Sequence, residues 1–370
     1  MNIYLLLALA SLTSFALAYF IIPVVIETAH KKGLFDLPDA RKQHTQPTPP
    51  LGGIAIFLGM VGSILFWGDA ATFELIRFPL LAMLFLFFVG LKDDLLEMKA
   101  LKKLVIQLLL ALIVAVAGLR ITSLNGFIGI YELPIVVQYV LTILFIVGLT
   151  NAYNLIDGID GLAGGIASIA GLTFALLFFH IGDYGFAICS LAMVGALLGF
   201  LKYNFSPAKI FMGDTGSLSV GVLLSILAVR LLGQAYLFEQ SLFHADWIPV
   251  WIFAVLAVPM LDITQVMIKR IMEKRSPFSP DRGHVHHMLQ RIGYNHAQAS
   301  ITLYAVSLQN VCMTWLFSQA GLNSNLGFVL ILGLSLLELS CLIHFEKSQE
   351  MPTYMQKIKQ VLIVIQSYLF

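Results

Sequence analysis

The stretch LLAMLFLFFVGLKDDLLEMKALKKLVIQLLLALIVAVAGL, Leu80 to Leu119, decides the fold of this chain. Two long apolar runs, roughly 78–91 and 104–119, flank the charged segment KDDLLEMKALKK. A helix needs about 20 mostly apolar residues to cross a bilayer, and a charged segment between two such runs is the loop that joins them at the membrane surface. The pattern repeats in both directions. Further apolar stretches lie at roughly 3–26, 51–67, 133–150, 161–179, 185–201, 217–233, 247–267, 300–318 and 325–345, eleven in all. Of the 370 residues 59% are apolar and 12% charged, against about 25% charged in a soluble domain. The fold class expected is therefore all-α: a polytopic transmembrane helical bundle of about eleven spans. The run Ile3 to Ile26 has no Lys or Arg before it and exceeds a signal-peptide apolar core, so it reads as a retained first span.

The loops carry a charge asymmetry. Of 22 Lys and Arg residues, only Arg77, Arg120 and Arg230 follow even-numbered spans. The excess of basic residues on cytoplasmic loops then places the N-terminus outside and the C-terminus in the cytoplasm. Residues 1–345 read as one integral-membrane domain. Residues 346–370 read as a cytoplasmic tail, which either lies in the interface as an amphipathic helix or packs on the bundle. The net charge of +1 and the lack of a basic domain exclude nucleic acid as a partner. Cys189, Cys312 and Cys341 form no close pair and no CxxC, and read as small core residues. No internal repeat is visible, which weakens an inverted-repeat transporter reading.

Five polar segments fall on the predicted cytoplasmic side. In KDDLLE (Lys92 to Glu97), adjacent Asp93 and Asp94 repel each other unless a cation offsets them, and Mg²⁺ favours one or two carboxylates plus phosphate oxygens. In NAYNLIDGIDGLAGG (Asn151 to Gly165), Asn154, Asp157 and Asp160 recur every three residues, as on one face of a helical turn, between two apolar spans. Charges so near hydrocarbon are costly. In NFSPAKIFMGDTGS (Asn204 to Ser217), Asp214 sits among turn glycines just ahead of the eighth span, as either a helix cap or a metal-facing carboxylate. SPDRGHVHHMLQR (Ser279 to Arg291) holds Arg282, His284, His286 and His287; with no cysteine near, these suit a diphosphate better than zinc. FDLPDARKQHTQPTPPLGG (Phe35 to Gly53) holds Arg41, Lys42 and His44 and alone reads as a rigid loop.

In order and spacing, KDDLLE, NLIDGIDGL, FMGDTGS and HVHH resemble the polyprenyl-phosphate N-acetylhexosamine-1-phosphate transferases, from about Leu34 to Arg291. The resemblance implies a UDP-N-acetylhexosamine donor, an undecaprenyl or decaprenyl phosphate acceptor, and Mg²⁺, with Mn²⁺ as a substitute. It implies a bacterial inner-membrane enzyme, a homodimer in its relatives, with its active site facing the cytoplasm. By the same resemblance Asp214 matches the metal-binding carboxylate, joined by Asp157 and Asp94 as metal ligands. Asp93, Asp94, Asp157, Asp160, His284, His286 and His287 match catalytic positions. Asn154, Asn204, Phe211 (against uracil) and Arg282 match substrate contacts, and Arg41, Lys42 and His44 are grouped with them. PDRGHVHH is similar to enzymes that start O-antigen, enterobacterial common antigen or teichoic acid linkage units with GlcNAc-1-phosphate. The alternative, the muramoyl-pentapeptide branch, ends this motif with a run of histidines and no PDR. Glu97 and Pro50 depart from the family pattern, where an Asp and a basic residue are common. The competing class, a membrane transporter, predicts polar residues spread toward mid-membrane, where Asp262 and Glu338 are the only carboxylates clearly inside spans.

Overall fold

The structure, a computed structural model, describes residues 2–35, 47–238, 243–276, 283–348 and 361–362. Twelve α-helices form it: α1 Ile3–Lys32, α2 Gly52–Trp67, α3 Ala70–Leu95, α4 Ala100–Val116, α5 Ile135–Ile156, α6 Leu162–His180, α7 Tyr184–Asn204, α8 Gly213–Gly233, α9 Ile248–Met272, α10 Val285–Arg291, α11 His296–Gln319 and α12 Ser324–Ser348. Among the described residues there is no strand. One isolated bridge, Ser123 to Glu132, ties the α4–α5 loop. The fold is all-helical, as expected, and each of the eleven predicted stretches lies on its own helix. Eight helices are long and apolar enough to cross a membrane, and α2 is a shorter apolar helix.

Large apolar side chains point outward, among them Leu5, Leu12 and Phe20 on α1, Leu109 and Val116 on α4, Val136 and Leu144 on α5, and Val329 and Leu337 on α12. In water this would be a liability; in lipid it is the surface the solvent demands. Cys312 belongs to that surface and is exposed, which corrects its reading as a core residue, while Cys189 is buried. A lipid-facing position needs apolarity, not burial.

The interior holds small residues at the helix crossings. On α8 every residue from Thr215 to Val229 is buried, and its Ser217, Ser219 and Ser225 hydroxyls donate to carbonyls four residues back, which satisfies them within the helix. A Cβ on Gly53 of α2 would overlap Gly216, and one on Gly90 of α3 would overlap the Asp214 backbone, so both helices lie backbone-to-backbone on the first turn of α8. Between α1 and α7, Ser14 donates its hydroxyl to the Ala192 carbonyl, and the backbone of α1 lies against Gly195 and Gly199. Small residues let transmembrane helices approach closely enough for dispersion and hydrogen bonds to hold them.

Two boundaries differ from the sequence reading in ways that move the site. Helix α3 begins at Ala70, capped by Asp69, which accepts from Thr72 N at 2.8 Å; Glu74 and Arg77 therefore lie on the helix. Helix α8 begins at Gly213, so Asp214 sits in its first turn, not ahead of it. Of the tail, 346–348 continue α12 and 361–362 are described, with Leu362 buried in the core cluster.

Candidate active site

The ends of α3, α5, α7 and α9 and the starts of α4, α8 and α10 meet on one end of the bundle. At the centre is Asp214. Its N–H donates to Asp94 Oδ1 at 2.8 Å. Thr215 donates its N–H and its hydroxyl to Asp94 Oδ2 at 2.9 and 2.5 Å. The start of α8 has no side-chain cap of its own, and Asp94 supplies one from α3, its negative charge sitting at the positive end of the helix dipole. Both Asp94 oxygens thus face α8. Gly213, at φ 69, makes the turn that this approach requires.

Asp93 turns the other way. Lys103 Nζ, in the first turn of α4, lies 2.8 Å from Asp93 Oδ2 and 2.7 Å from Asp214 Oδ2. Asn154 Nδ2 donates to Asp214 Oδ1 at 2.9 Å and to Ser217 Oγ at 2.8 Å. An ammonium held between two carboxylates marks a place where positive charge is stabilised. Two carboxylates plus phosphate oxygens from a substrate also meet the preference of Mg²⁺, so the residues present fit that ion.

Asn154, Asp157 and Asp160 do not share one helical face. Helix α5 stops at Ile156, Asp157 is its C-terminal residue at φ −75 and ψ 54, and Gly161 at φ 80 starts α6. The three side chains consequently part company. The Asp157 carboxylate accepts no hydrogen bond from a described residue; burial pushes it up to about 8, with repulsion from Asp214, Asp94 and Asp160 adding to this. Asp160 is committed to structure: Oδ2 accepts from Ala208 N at 3.1 Å and Oδ1 lies 3.1 Å from His296 Nδ1. Asn204, buried at the end of α7, accepts from Gly161 N at 2.8 Å and donates to the Ile210 carbonyl at 2.9 Å, clamping one loop to the other. Phe211 is half-buried, and its carbonyl accepts the Gly52 N–H at 2.9 Å, satisfying a free donor of α2.

His284 is the N-terminal flanking residue of α10, not part of its helical face. Its ring lies nearly parallel to that of His286, with centroids 5.7 Å apart, and His286 meets His287 at 4.2 Å. His286 is buried, and neither nitrogen has a hydrogen-bond partner among the described residues. Burial pushes it down to about 3, with His287 reinforcing the effect. A Cβ on Gly158 would overlap the His286 ring, so the histidine segment rests on the backbone beside Asp157. Arg41, Lys42, His44 and Arg282 lie outside the described residues.

Two residues of this site escaped the sequence reading. Lys103 was counted only among the basic residues that orient the chain. Asp262 was noted only as a carboxylate inside a span; its oxygens accept from Val285 N at 2.7 Å and pair with His284 Nδ1 at 2.8 Å. The cost of a charge within a span was the signal for Asp262.

Residues 76–232 match the profile of glycosyl transferase family 4. Over 308 residues, 81% of this chain and 82% of the relative, the sequence is 37% identical to a probable undecaprenyl-phosphate N-acetylglucosaminyl 1-phosphate transferase of Bacillus subtilis. It is 34% identical over 319 residues to a decaprenyl-phosphate N-acetylglucosaminephosphotransferase of Mycobacterium tuberculosis, covering 80% and 79% of the two chains. An undecaprenyl-phosphate alpha-N-acetylglucosaminyl 1-phosphate transferase of Yersinia pestis is 32% identical over 286 residues, 76% of each chain.

Proposed function

The chain belongs to glycosyl transferase family 4, and from that premise we propose that its site transfers N-acetylglucosamine-1-phosphate from UDP-N-acetylglucosamine to undecaprenyl phosphate, releasing UMP. The observation that carries the reading is the Asp93–Lys103–Asp214–Asn154 cluster, built from four helices at one end of a bundle whose flanks are apolar.

In this reaction an oxygen of the acceptor phosphate attacks the sugar-side phosphorus of the donor. The bond from that phosphorus to the bridging oxygen breaks, and UMP leaves with the electron pair. Two anions must approach, so the site has to offset negative charge. Lys103 is placed to do this from the carboxylate pair. Asn154 holds Asp214 in orientation, Asp94 holds the helix that carries it, and the histidine segment lies beside Asp157. A phosphomonoester has its second pKa near 6, so much of the acceptor is already a dianion at neutral pH, and a general base serves the fraction that still carries a proton. Mg²⁺, held by Asp214 with Asp93 and Asp157 beside it, would supply further neutralisation of the diphosphate oxygens.

The same proposal puts the protein in a bacterial inner membrane with this end facing the cytoplasm, supported by the distribution of basic residues. It also includes the homodimer that the family resemblance implies, to be read from the mass of the purified protein.

Purified protein incubated with UDP-N-acetylglucosamine, undecaprenyl phosphate and Mg²⁺ should release UMP and form a lipid diphosphate sugar. One diphosphate replaces another, so labelled UMP should be exchanged into UDP-N-acetylglucosamine when the lipid phosphate is present. Exchange without lipid would indicate a covalent enzyme intermediate. Release of UDP in place of UMP would overturn the reading.

A further inference from the structure

Asp262 stands on α9, buried, and both of its oxygens hold the segment that leads into α10. Oδ2 lies 2.8 Å from His284 Nδ1. Oδ1 accepts the Val285 N–H at 2.7 Å and Gln265 Nε2 at 3.3 Å. Gln265 Nε2 also donates to the Gly283 carbonyl at 3.1 Å. Two side chains three residues apart on α9 therefore clamp three consecutive residues, 283 to 285. An ionised carboxylate only accepts, so the hydrogen of a neutral His284 ring resides on Nδ1. Nε2, which has no partner among the described residues, keeps its lone pair. Through the parallel ring of His286, which rests on the Gly158 backbone, this nitrogen belongs to the same end of the bundle as Asp157.

The geometry points to Asp262 as a positioning residue of the transferase: it fixes the Nδ1–H form of His284 and so presents Nε2, not N–H, to the proton of an acceptor phosphate that still carries one. When Nε2 takes up a proton, the Asp262 carboxylate stabilises the resulting imidazolium. The same carboxylate anchors the first N–H of α10, so the ring and the helix move as one body. The arrangement follows the general rule that the nitrogen of a histidine that acts is chosen by the hydrogen bond the other nitrogen makes. The inference rests on the phosphoryl-transfer reading above.

Asp262→Asn separates chemistry from scaffolding. Asparagine keeps an acceptor for the Val285 N–H but turns an NH₂ toward His284 Nδ1, which forces the hydrogen onto Nε2. The expected loss in kcat is about 10²- to 10⁴-fold, the range a wrong tautomer produces in a carboxylate–histidine pair. KM for the donor should change less than about threefold, since its contacts remain. His284→Gln should lose a similar factor, and the double variant should be no worse than the worse single one. Asp262→Glu, which preserves the tautomer, should be more active than His284→Gln. If Asp262→Asn does not purify folded, Asp262→Glu carries the test, and activity no better than that of His284→Gln overturns the proposal. Losses that multiply in the double variant, or an Asp262→Asn enzyme within about threefold of the wild type, overturn it as well. The ¹⁵N shifts of labelled His284 report the tautomer without turnover: Asp262→Asn should move the hydrogen from Nδ1 to Nε2. An unchanged spectrum refutes the pairing, whereas a wild type that makes no UMP refutes only the reaction.

Discussion

Thr215 donates twice to one oxygen of Asp94, through its N–H at 2.9 Å and its hydroxyl at 2.5 Å. The two residues lie 121 positions apart, and their contact sets where α8 begins and hence where Asp214 points. A hydrogen bond to a charged group contributes about 1.5–3 kcal/mol. Thr215→Val should therefore destabilise the protein by about 1–2 kcal/mol in denaturant unfolding and lower turnover through a displaced Asp214. Asp94→Asn should do the same, and the two effects should couple in a double-mutant cycle. Strict additivity would show that Asp94 works elsewhere.

Lys103 and a divalent cation compete for the same carboxylates. Lys103→Met should lower UMP release by at least about 10²-fold, as loss of a charge-stabilising donor does. It should nevertheless tighten Mn²⁺ binding, measured by electron paramagnetic resonance, because Asp93 and Asp214 lose their resident ammonium. Asp214→Asn and Asp157→Asn should abolish turnover and weaken Mn²⁺ binding. Either asparagine variant with near-normal activity and unchanged metal dependence is not a ligand variant.

When a chelator removes divalent cations, stability should fall as pH rises above about 6.5, while two opposing contributions cancel between about 4 and 6.5. Asp157 has its folded pKa raised from 3.8 to about 8. The folded state then holds a proton that the unfolded chain has lost, and stability declines as pH rises through that window. His286 has its folded pKa lowered from 6.5 to about 3. Here the unfolded chain gains the proton first, and stability declines as pH falls below 6.5. Thermal unfolding in detergent should show Asp157→Asn removing the decline above about pH 6.5 and exposing a loss of stability as pH falls below it, and His286→Gln extending the Asp157 decline down to about pH 4. If each variant keeps the wild-type slope, neither shift exists.

Orientation is open to labelling. In a background without the native cysteines, single cysteines at exposed Lys99 and Lys209 should be shielded from an impermeant thiol reagent in intact cells. Cysteines at exposed Glu74 and Glu132 should react. The reverse pattern would put the transferase site outside.

How much of this was legible in the sequence depended on range. The eleven apolar stretches were readable because lipid imposes one demand on every spanning helix; Asp93, Asp157 and His284 stood out because carboxylates and imidazoles in apolar company are costly, and Asn154 through its spacing with the aspartates that follow it. What local reading missed was set by long-range partners. Asp94 looks like a twin of Asp93, yet its neighbour in sequence faces Lys103 while it faces α8. Asp160 and Asn204 read as ligand contacts, but each closes a loop against a residue more than 40 positions away. Lys103 is one of four basic residues in its loop, and only the fold singles it out. The three-residue spacing of Asn154, Asp157 and Asp160 suggested a helix, where the glycines that follow end one.

Because α8 is sheathed by α2, α3, α5, α6, α7 and α9, it has no annulus of lipid. A bilayer that thickens or thins acts on hydrocarbon-facing helices, which answer by tilting; among these are α1, α3, α4, α5, α11 and α12, whose outer faces carry exposed apolar side chains. Asp214 rides on a helix that hydrophobic mismatch cannot grip directly. A cell that remodels its acyl chains with temperature therefore strains the rim of this bundle while the axle that carries the carboxylate keeps its height in the membrane.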